Sequence, residues 1–273
     1  MRRSIASVAM SGPLPDRLAA VAAAGFDGVE IFEPNLQAFH GSAHDIRECA
    51  AGLGLAIELY QPLRDFEGVA DSQMGANLAR AERAFDTMEA LGTALMLVCS
   101  NTQADVIDDD ARAADQLAAL AECASRRNLR IGYEALAWGT KVNTFDRAWE
   151  IVKRADHPGL SLIVDSFHTL IRPEDWSSLR QIPGERIAFV QLGDAPRVTA
   201  DPLTIRRNYS RWPGQGELGV PAFLHEVLAT GYGGTISIEI FNEKTSESPF
   251  DTARAAMASL TAVENAARYT SVS

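Results

Sequence analysis

Four strand-like segments in the second half of the chain each end on a side chain that can offer an oxygen ligand. Apolar runs stop at Glu134 in RIGYEALAW, at Asp165 in SLIVDSFHTL, at Gln191 in IAFVQLGDA and at Glu239 in TISIEIFNE. A carboxylate at the end of a buried strand is costly unless a cation, a proton or several hydrogen-bond donors meet it. Three carboxylates that converge repel one another unless a cation neutralises them. We therefore predict that these four residues bind one divalent metal ion.

The ligand types narrow the choice of ion. Carboxylate and amide oxygens favour a hard or borderline divalent cation, which means Mg²⁺ first and Mn²⁺ or Co²⁺ next. Zinc fits less well, because none of the four residues is His or Cys. His168 follows Asp165 by three positions, so it should lie close to the ion. The pKa of a free histidine lies near neutral pH, which makes His168 a candidate for proton transfer.

The elements that would carry these residues alternate between strand and helix along the chain. Apolar, β-branched runs predict eight strands, and glycines close several helices just before the next strand. Strands are expected at residues 4–10, 27–32, 55–60, 94–99, 130–134, 187–191 and 235–240, with the sixth inside 161–170. Helices are expected at residues 14–24, 43–51, 75–90, 111–127, 144–155, 175–180, 221–229 and 249–267, and the segment from 192 to 219 is expected to be irregular.

Eight such units predict a (β/α)8 TIM barrel of the α/β class, built as a single catalytic domain over residues 1–273. A doubly wound sheet is the rival fold. It calls for a glycine-rich phosphate loop after the first strand, and SGPLPDR is a poor match. In a barrel the carboxyl ends of all strands open at one mouth, so the four predicted ligands should meet there.

Composition limits the partners. The 273 residues carry a formal net charge of -11, which argues against nucleic acid and anionic membranes, because both require a basic face. A local arginine cluster can still bind a small anionic substrate. No apolar run is long enough for a signal peptide or a membrane helix, and the three cysteines lack CxxC spacing. We therefore expect a cytoplasmic protein with free thiols, and the sequence leaves a homo-oligomer open.

The order of strand-end Glu, Asp, Gln and Glu resembles the xylose-isomerase-like sugar-phosphate isomerase/epimerase barrels, which bind one divalent metal in this way. Many of those barrels have His on the seventh strand, where this chain has Gln191 in VQLGDAP. That glutamine, with YEALAWG, VDSFHTL and YQPLRDFEG, is similar to the bacterial metal-dependent 3-dehydroshikimate dehydratases. The resemblance implies a hydro-lyase that converts 3-dehydroshikimate to protocatechuate in quinate and shikimate catabolism. It also implies that the barrel can be the N-terminal part of a longer protein with a domain of the hydroxyphenylpyruvate-dioxygenase type.

The implied reaction removes a proton next to a ketone and expels hydroxide, so it needs a base, an acid and a group that binds the substrate carboxylate. His168 is the candidate base, and it could also protonate the leaving hydroxyl in a syn elimination. Arg64, after the third strand, and Arg211, after the seventh, are the candidates for binding the carboxylate. Tyr60 and Ser210 are candidates for hydrogen bonds to ring hydroxyls.

Three other functions remain open. A sugar or cyclic polyol isomerase or epimerase would use the same single-metal site, with Glu134 and Glu239 as paired bases on opposite faces of the substrate. A DNA-repair endonuclease would need several histidines for more than one zinc, which five scattered histidines and the acidic balance fit poorly. A non-catalytic metal-binding or regulatory barrel is the third alternative, and the candidate base beside a full ligand set argues against it.

Overall fold

A closed barrel of eight parallel strands forms the centre of the molecule. The computed structural model describes residues 1–241 and 248–269. Neighbouring strands pair in sequence order, and the first strand closes the barrel against the eighth. The strands are β1 (Arg2–Ala6), β2 (Gly28–Phe32), β3 (Ala56–Leu63), β4 (Leu95–Cys99), β5 (Arg130–Glu134), β6 (Leu160–Asp165), β7 (Ile187–Leu192) and β8 (Thr235–Ile238). The predicted (β/α)8 TIM barrel is therefore confirmed.

Helices surround this barrel. They are α1 (Leu14–Ala23), α2 (Glu33–Gln37), α3 (Ala43–Gly52), α4 (Asp71–Leu91), α5 (Asp110–Ser125), α6 (Phe145–Ala155), α7 (Ser166–Leu170), α8 (Pro202–Tyr209), α9 (Val220–Ala229) and α10 (Pro249–Tyr269), with 3₁₀ turns at Ser7–Ala9, Ser177–Gln181 and Gly184–Arg186. Within residues 1–241 and 248–269, no helix combines the length and the apolar character that crossing a membrane requires.

Successive strand residues point to opposite faces of the barrel, so its apolar side chains form two layers, one outside and one inside. Outward-facing residues pack against the helices in the larger layer. A smaller cluster fills the barrel interior with Leu59, Leu95, Leu97, Cys99, Leu136, Ile163 and Phe189. Asp165 and Gln191 each come two positions after a member of this cluster, so they also face inward and lie toward the carboxyl ends of their strands. The alternation of the strands thus places polar groups directly above the apolar interior.

Three helices are absent from the sequence prediction because each is too short to show a helical period. The five residues of α2 replace part of a predicted loop, and α8 lies in the segment predicted to be irregular. Side-chain caps mark the N-termini of two of these helices. The side chain of Asp165 accepts hydrogen bonds from the first turn of α7, and the side chain of Asp201 does the same for α8.

Some predicted boundaries are also corrected. The first strand ends at Ala6 rather than at residue 10, because a 3₁₀ turn follows it at once. Helix α4 begins at Asp71, four residues earlier than expected. The short helix predicted at residues 175–180 is a 3₁₀ turn, Ser177–Gln181.

Candidate metal centre and active site

The four predicted ligands lie together at the carboxyl-terminal mouth of the barrel. Glu134 and Asp165 end β5 and β6, Gln191 lies near the end of β7, and Glu239 directly follows β8. All four are buried, and Asp165 and Gln191 are paired across neighbouring strands. The structure therefore brings together the four side chains that were predicted from the sequence to converge. Their role as metal ligands stays a prediction.

Glu134 has almost no hydrogen-bond support at this mouth. Its Oε1 lacks a partner in the described part of the chain, and its Oε2 lies 3.8 Å from the Sγ of Cys99, which is a weak donor. Burial raises the pKa of Glu134 well above its ordinary value, and the negative charges of Glu239 and Asp165 raise it further. A cation in contact with Glu134 would offset this cost.

Asp165 divides its two oxygens between a helix and an arginine. Oδ1 accepts hydrogen bonds from the backbone N–H groups of Phe167, at 2.5 Å, and His168, at 3.3 Å. Oδ2 accepts one from the Nη2 of Arg206 at 3.0 Å. Burial raises the pKa of Asp165 to about 7, although the positive charge of Arg206 opposes that shift. Asp165 therefore both caps α7 and contributes charge to the cluster.

Arg206, on α8, is buried in the middle of the carboxylates, with 1% of its surface exposed. Its Nη2 donates to Glu239 as well as to Asp165, and the guanidinium lies 4.9 Å from the Phe167 ring centre and 5.2 Å from that of Phe241. Its Nε and Nη1 have no partner within the described ranges. Each carboxylate oxygen has more than one lone pair, so contact with Arg206 leaves Asp165 and Glu239 able to bind a cation.

Sequence spacing does not single out Arg206, which lies five residues before the candidate Arg211. Its guanidinium reaches Asp165 and Glu239, which lie 41 and 33 residues away in the chain. The three arginines of the region, Arg206, Arg207 and Arg211, look equivalent in the sequence. In the structure Arg206 is distinguished from the other two by its burial.

Glu30, on β2, is a further buried carboxylate that the sequence analysis overlooked. Its Oε2 accepts hydrogen bonds from the side-chain amides of Gln61 and Gln191, each at 2.7 Å. Burial raises the pKa of Glu30 well above its ordinary value, and the charge of Glu239 adds to the effect. A signal was present in the sequence, because Glu30 is the single charged residue in the strand GVEIF.

His168 lies beside the carboxylates with one ring nitrogen already engaged. Its Nδ1 accepts a hydrogen bond from the backbone N–H of Ala137 at 3.1 Å, and its ring packs edge-on against Trp138 and Phe167. Burial lowers the pKa of His168 well below its ordinary value, and the positive charges of Arg206 and Arg64 add to the shift. The imidazole is therefore neutral near pH 7, and the hydrogen bond from Ala137 favours the tautomer with its proton on Nε2.

Three of these groups are close enough to share one ion. Glu134, Asp165 and His168 each offer a ligand atom, and the three atoms lie within 4.8 Å of one another. His168 is thus a further possible ligand, which the prediction reserved for proton transfer. Together with the amide of Gln191 and the carboxylate of Glu239, these residues form a site that suits a divalent metal ion.

A cavity of about 610 Å³ opens above the cluster. Its lining includes aromatic groups and three arginines, and consists of Arg64, Thr102, Trp138, Asp201, Leu203, Arg206, Arg207 and Phe241. The predicted residue Arg64 therefore lies at the mouth, as expected. The volume and the positive lining suit a small anionic molecule.

The other three predicted substrate contacts are placed differently. Tyr60 faces the outside of β3, and its hydroxyl donates to the Oε1 of Glu33 at 3.0 Å. Ser210 is buried and donates to the carbonyl oxygen of Arg206, which closes α8. Arg211 bridges to Asp194 through its backbone and does not line the cavity above the cluster. None of these three residues is among those that line the cavity above the cluster, and their roles in substrate binding stay predictions.

Comparison with known proteins gives a consistent picture of the fold. The family model described as xylose isomerase-like TIM barrel matches residues 18–263. A solved xylose isomerase-like TIM barrel/4-hydroxyphenylpyruvate dioxygenase fusion protein superposes with a TM-score of 0.96 at 50% identity, over 98% of this chain and 43% of that one. The crystal structure of the IOLI protein with a binding zinc atom superposes with a TM-score of 0.84 at 20% identity, over 100% of both chains.

A sequence relative of assigned activity is also similar. The 3-dehydroshikimate dehydratase of Pseudomonas putida is 54% identical over 243 residues, which are 89% of this chain and 38% of that protein. The chain thus spans well under half the length of this relative.

Proposed function

Because the chain belongs to the xylose isomerase-like TIM barrel family, we propose that it carries out the metal-dependent dehydration of 3-dehydroshikimate to protocatechuate, as a hydro-lyase. The observation that carries this proposal is the 54% identity with a 3-dehydroshikimate dehydratase over 89% of the chain. The proposal places the whole catalytic site within residues 1–273 as one domain. The three cysteines are free, which supports a reducing, cytoplasmic setting.

The residues at the mouth fit a divalent metal ion. Glu134 Oε1 and Gln191 Oε1 are buried oxygens without a hydrogen-bond partner in the described chain, and a cation would supply the partner that each lacks. We propose Glu134, Asp165, Gln191 and Glu239 as ligands of Mg²⁺, with Mn²⁺ or Co²⁺ as alternatives. When bound, such an ion would polarise the substrate ketone and stabilise the negative charge that develops on its oxygen.

His168 is the candidate for moving protons at this site. Dehydration breaks a C–H bond and a C–O bond, so one proton leaves carbon and one is added to the departing hydroxyl. The hydrogen bond from the backbone N–H of Ala137 occupies Nδ1, so Nε2 is the ring nitrogen that can exchange a proton with the substrate. The earlier expectation that His168 first acts as the base stays a prediction. A base at this position needs an unprotonated Nε2, and the proton that it takes from carbon is then the one that it gives to the departing hydroxyl.

The substrate carboxylate would bind to the arginines that line the cavity. Arg206 has two buried N–H donors without a partner within residues 1–241 and 248–269, and Arg64 stands at the rim. A guanidinium can bind a carboxylate through two parallel hydrogen bonds, which fixes the orientation of the ring. This arrangement favours Arg64 and Arg206 over Arg211 for that role.

The test is an absorbance assay for the aromatic product. Purified protein stripped of metal with a chelator is mixed with 3-dehydroshikimate, with and without Mg²⁺. The proposal expects an absorbance that grows as the catechol acid forms, only when the metal is present. No absorbance change, combined with turnover of a free ketose or a cyclic polyol ketone, would instead favour the isomerase or epimerase alternative.

A further inference from the structure

We propose that Glu30 is a positioning residue that orients the side-chain amide of Gln191, so that the amide presents its oxygen rather than its nitrogen to the metal. This inference rests on the proposed function, because it takes Gln191 as a metal ligand. It concerns a carboxylate on β2, which is not one of the strands that carry the predicted ligands, and none of the predicted roles includes this residue.

The orientation of a glutamine ligand has to be imposed from outside the side chain. The oxygen and the NH₂ group of an amide have nearly the same size, so both orientations fit the same space. Only the oxygen can bind a cation, because the amide nitrogen has no free lone pair to offer. A carboxylate at this position would not carry this ambiguity, because its two oxygens are equivalent.

Glu30 removes that ambiguity. Its Oε2 lies 2.7 Å from the Nε2 of Gln191 and also accepts from Gln61, so this oxygen acts as an acceptor whether Glu30 is ionised or carries a proton on Oε1. Rotating the amide by half a turn would place two oxygens in contact and remove the hydrogen bond. The amide oxygen of Gln191 therefore points away from Glu30, where it is buried and has no partner in the described ranges.

Glu30 is itself held in place. The side-chain amide of Gln61, on the adjacent strand β3, donates to the same Oε2 at 2.7 Å. Glu30 is fully buried, so water does not compete for this oxygen. Two amides on one carboxylate oxygen thus form a fixed chain from Gln61 through Glu30 to Gln191.

The test measures Mn²⁺ affinity by calorimetric titration of metal-free protein, together with the thermal unfolding temperature. Glu30→Gln supplies an NH₂ group that lets the amide of Gln191 turn over. We expect Mn²⁺ to bind Glu30→Gln about 10- to 100-fold more weakly than wild type, the range for residues that orient metal ligands. The unfolding temperature of the metal-free variant should not fall, since the amide keeps the shape of the side chain and adds no buried charge. Glu30→Asp, which keeps the carboxyl group but withdraws it from Gln191, should weaken Mn²⁺ binding in the same direction and serves if Glu30→Gln does not fold.

A double-mutant comparison separates positioning from direct binding. If Glu30 acts through Gln191, adding Glu30→Gln to Gln191→Ala should change Mn²⁺ affinity by less than about twofold, because the amide to be oriented is already gone. The matched control is Glu67→Gln, since Glu67 is equally buried but bonds to Tyr133 and Asn101, away from the ligands. This control should bind Mn²⁺ like wild type.

Two results would overturn the inference. One is wild-type Mn²⁺ affinity in Glu30→Gln. The other is an equal loss in the wild-type and Gln191→Ala backgrounds, which would make Glu30 a ligand in its own right. Failure of the wild-type protein itself to bind Mn²⁺ is a distinct outcome, because it removes the metal site of the proposed function and this inference with it.

Discussion

Two buried carboxylates near the mouth of the barrel, Asp194 and Glu134, differ in how their oxygens are satisfied. Asp194 is 1% exposed and accepts four backbone hydrogen bonds. Oδ1 receives those from Ala195, at 2.8 Å, and Leu218, at 3.1 Å, and Oδ2 receives those from Gly214 and Gly216, both at 3.0 Å. This carboxylate holds a glycine-rich loop in place, and it needs no further partner.

Glu134 is 3% exposed and has no such donors. Its Oε1 is without a partner among the residues described, and its neighbours Glu239 and Asp165 carry the same charge. Burial alone therefore does not separate a structural carboxylate from a functional one. The difference lies in the missing donors together with the like-charged neighbours, and a cation would satisfy the oxygen and offset the repulsion.

The largest expected effect comes from Glu134→Gln. This change keeps the shape of the side chain but removes the charge of a proposed metal ligand, and several kcal/mol of transition-state stabilisation should be lost with it. We expect turnover of 3-dehydroshikimate to fall by about 10³-fold. The metal-free variant should unfold at the same temperature as wild type or higher, because repulsion in the cluster is relieved. A large loss of thermal stability would show instead that Glu134 supports the fold.

Asp194→Ala should give the opposite pattern. Four backbone N–H groups would lose their acceptor, and we expect the free energy of unfolding in denaturant to fall by about 3 kcal/mol. The fraction that remains folded should bind metal as wild type does. Loss of metal binding without loss of stability would place Asp194 in the metal site. The distinction between a structural Asp194 and a metal-binding Glu134 would then be wrong.

His168→Ala tests proton transfer separately from metal binding. Turnover should fall by about 10²-fold, the usual contribution of a general acid or base. Metal content after dialysis against Mg²⁺ should stay at the wild-type level if His168 is not a ligand. Near-normal turnover would remove His168 from the mechanism, and a parallel loss of metal would make it a ligand.

The smallest expected effect is the pH dependence of metal-free stability. Burial raises the pKa of Asp165 to about 7 and raises those of Glu30 and Glu134, so the folded state holds protons that the unfolded state releases above about pH 4. The stability that these protonated carboxyl groups give the folded state is fully present below that pH, and it is lost as pH rises through their pKa values in the folded protein. The lowered pKa of His168 has the opposite effect, because it reduces stability as pH falls below about 6.5. It is a single group, whereas three carboxyl groups have raised pKa values.

Metal-free protein should therefore lose about 1–2 kcal/mol of stability between pH 6.5 and pH 8. Added Mg²⁺ should stabilise it more at pH 8 than at pH 6.5, because protons compete with the ion for the carboxylates. Unfolding temperatures across that range measure both effects. A metal-free protein that becomes more stable with rising pH would contradict the assigned shifts.

The sequence was enough to predict the barrel and the residues at its strand ends. Glu134, Asp165, Gln191 and Glu239 each interrupt an apolar run, and the parallel arrangement of a barrel makes such interruptions meet. Glu30 carries the same kind of signal, but it lies inside its strand rather than at the end, so a search for strand ends passes over it.

Other parts of the site depend on contacts that no local pattern contains. Arg206 belongs to a short helix in a segment without strand or helix periodicity, and its partners come from β6 and the end of β8. The outward direction of Tyr60 follows from the phase of β3, which a one-residue shift would reverse. These features are set by tertiary packing rather than by sequence spacing.

The metal site is tested most directly by a calorimetric titration of metal-free protein with Mn²⁺, comparing wild type, Glu134→Gln and Asp194→Asn. Wild type and folded Asp194→Asn should each bind one ion per chain, and Glu134→Gln should bind Mn²⁺ much more weakly. Absence of Mn²⁺ binding in wild type, or equal binding in Glu134→Gln, would contradict this prediction.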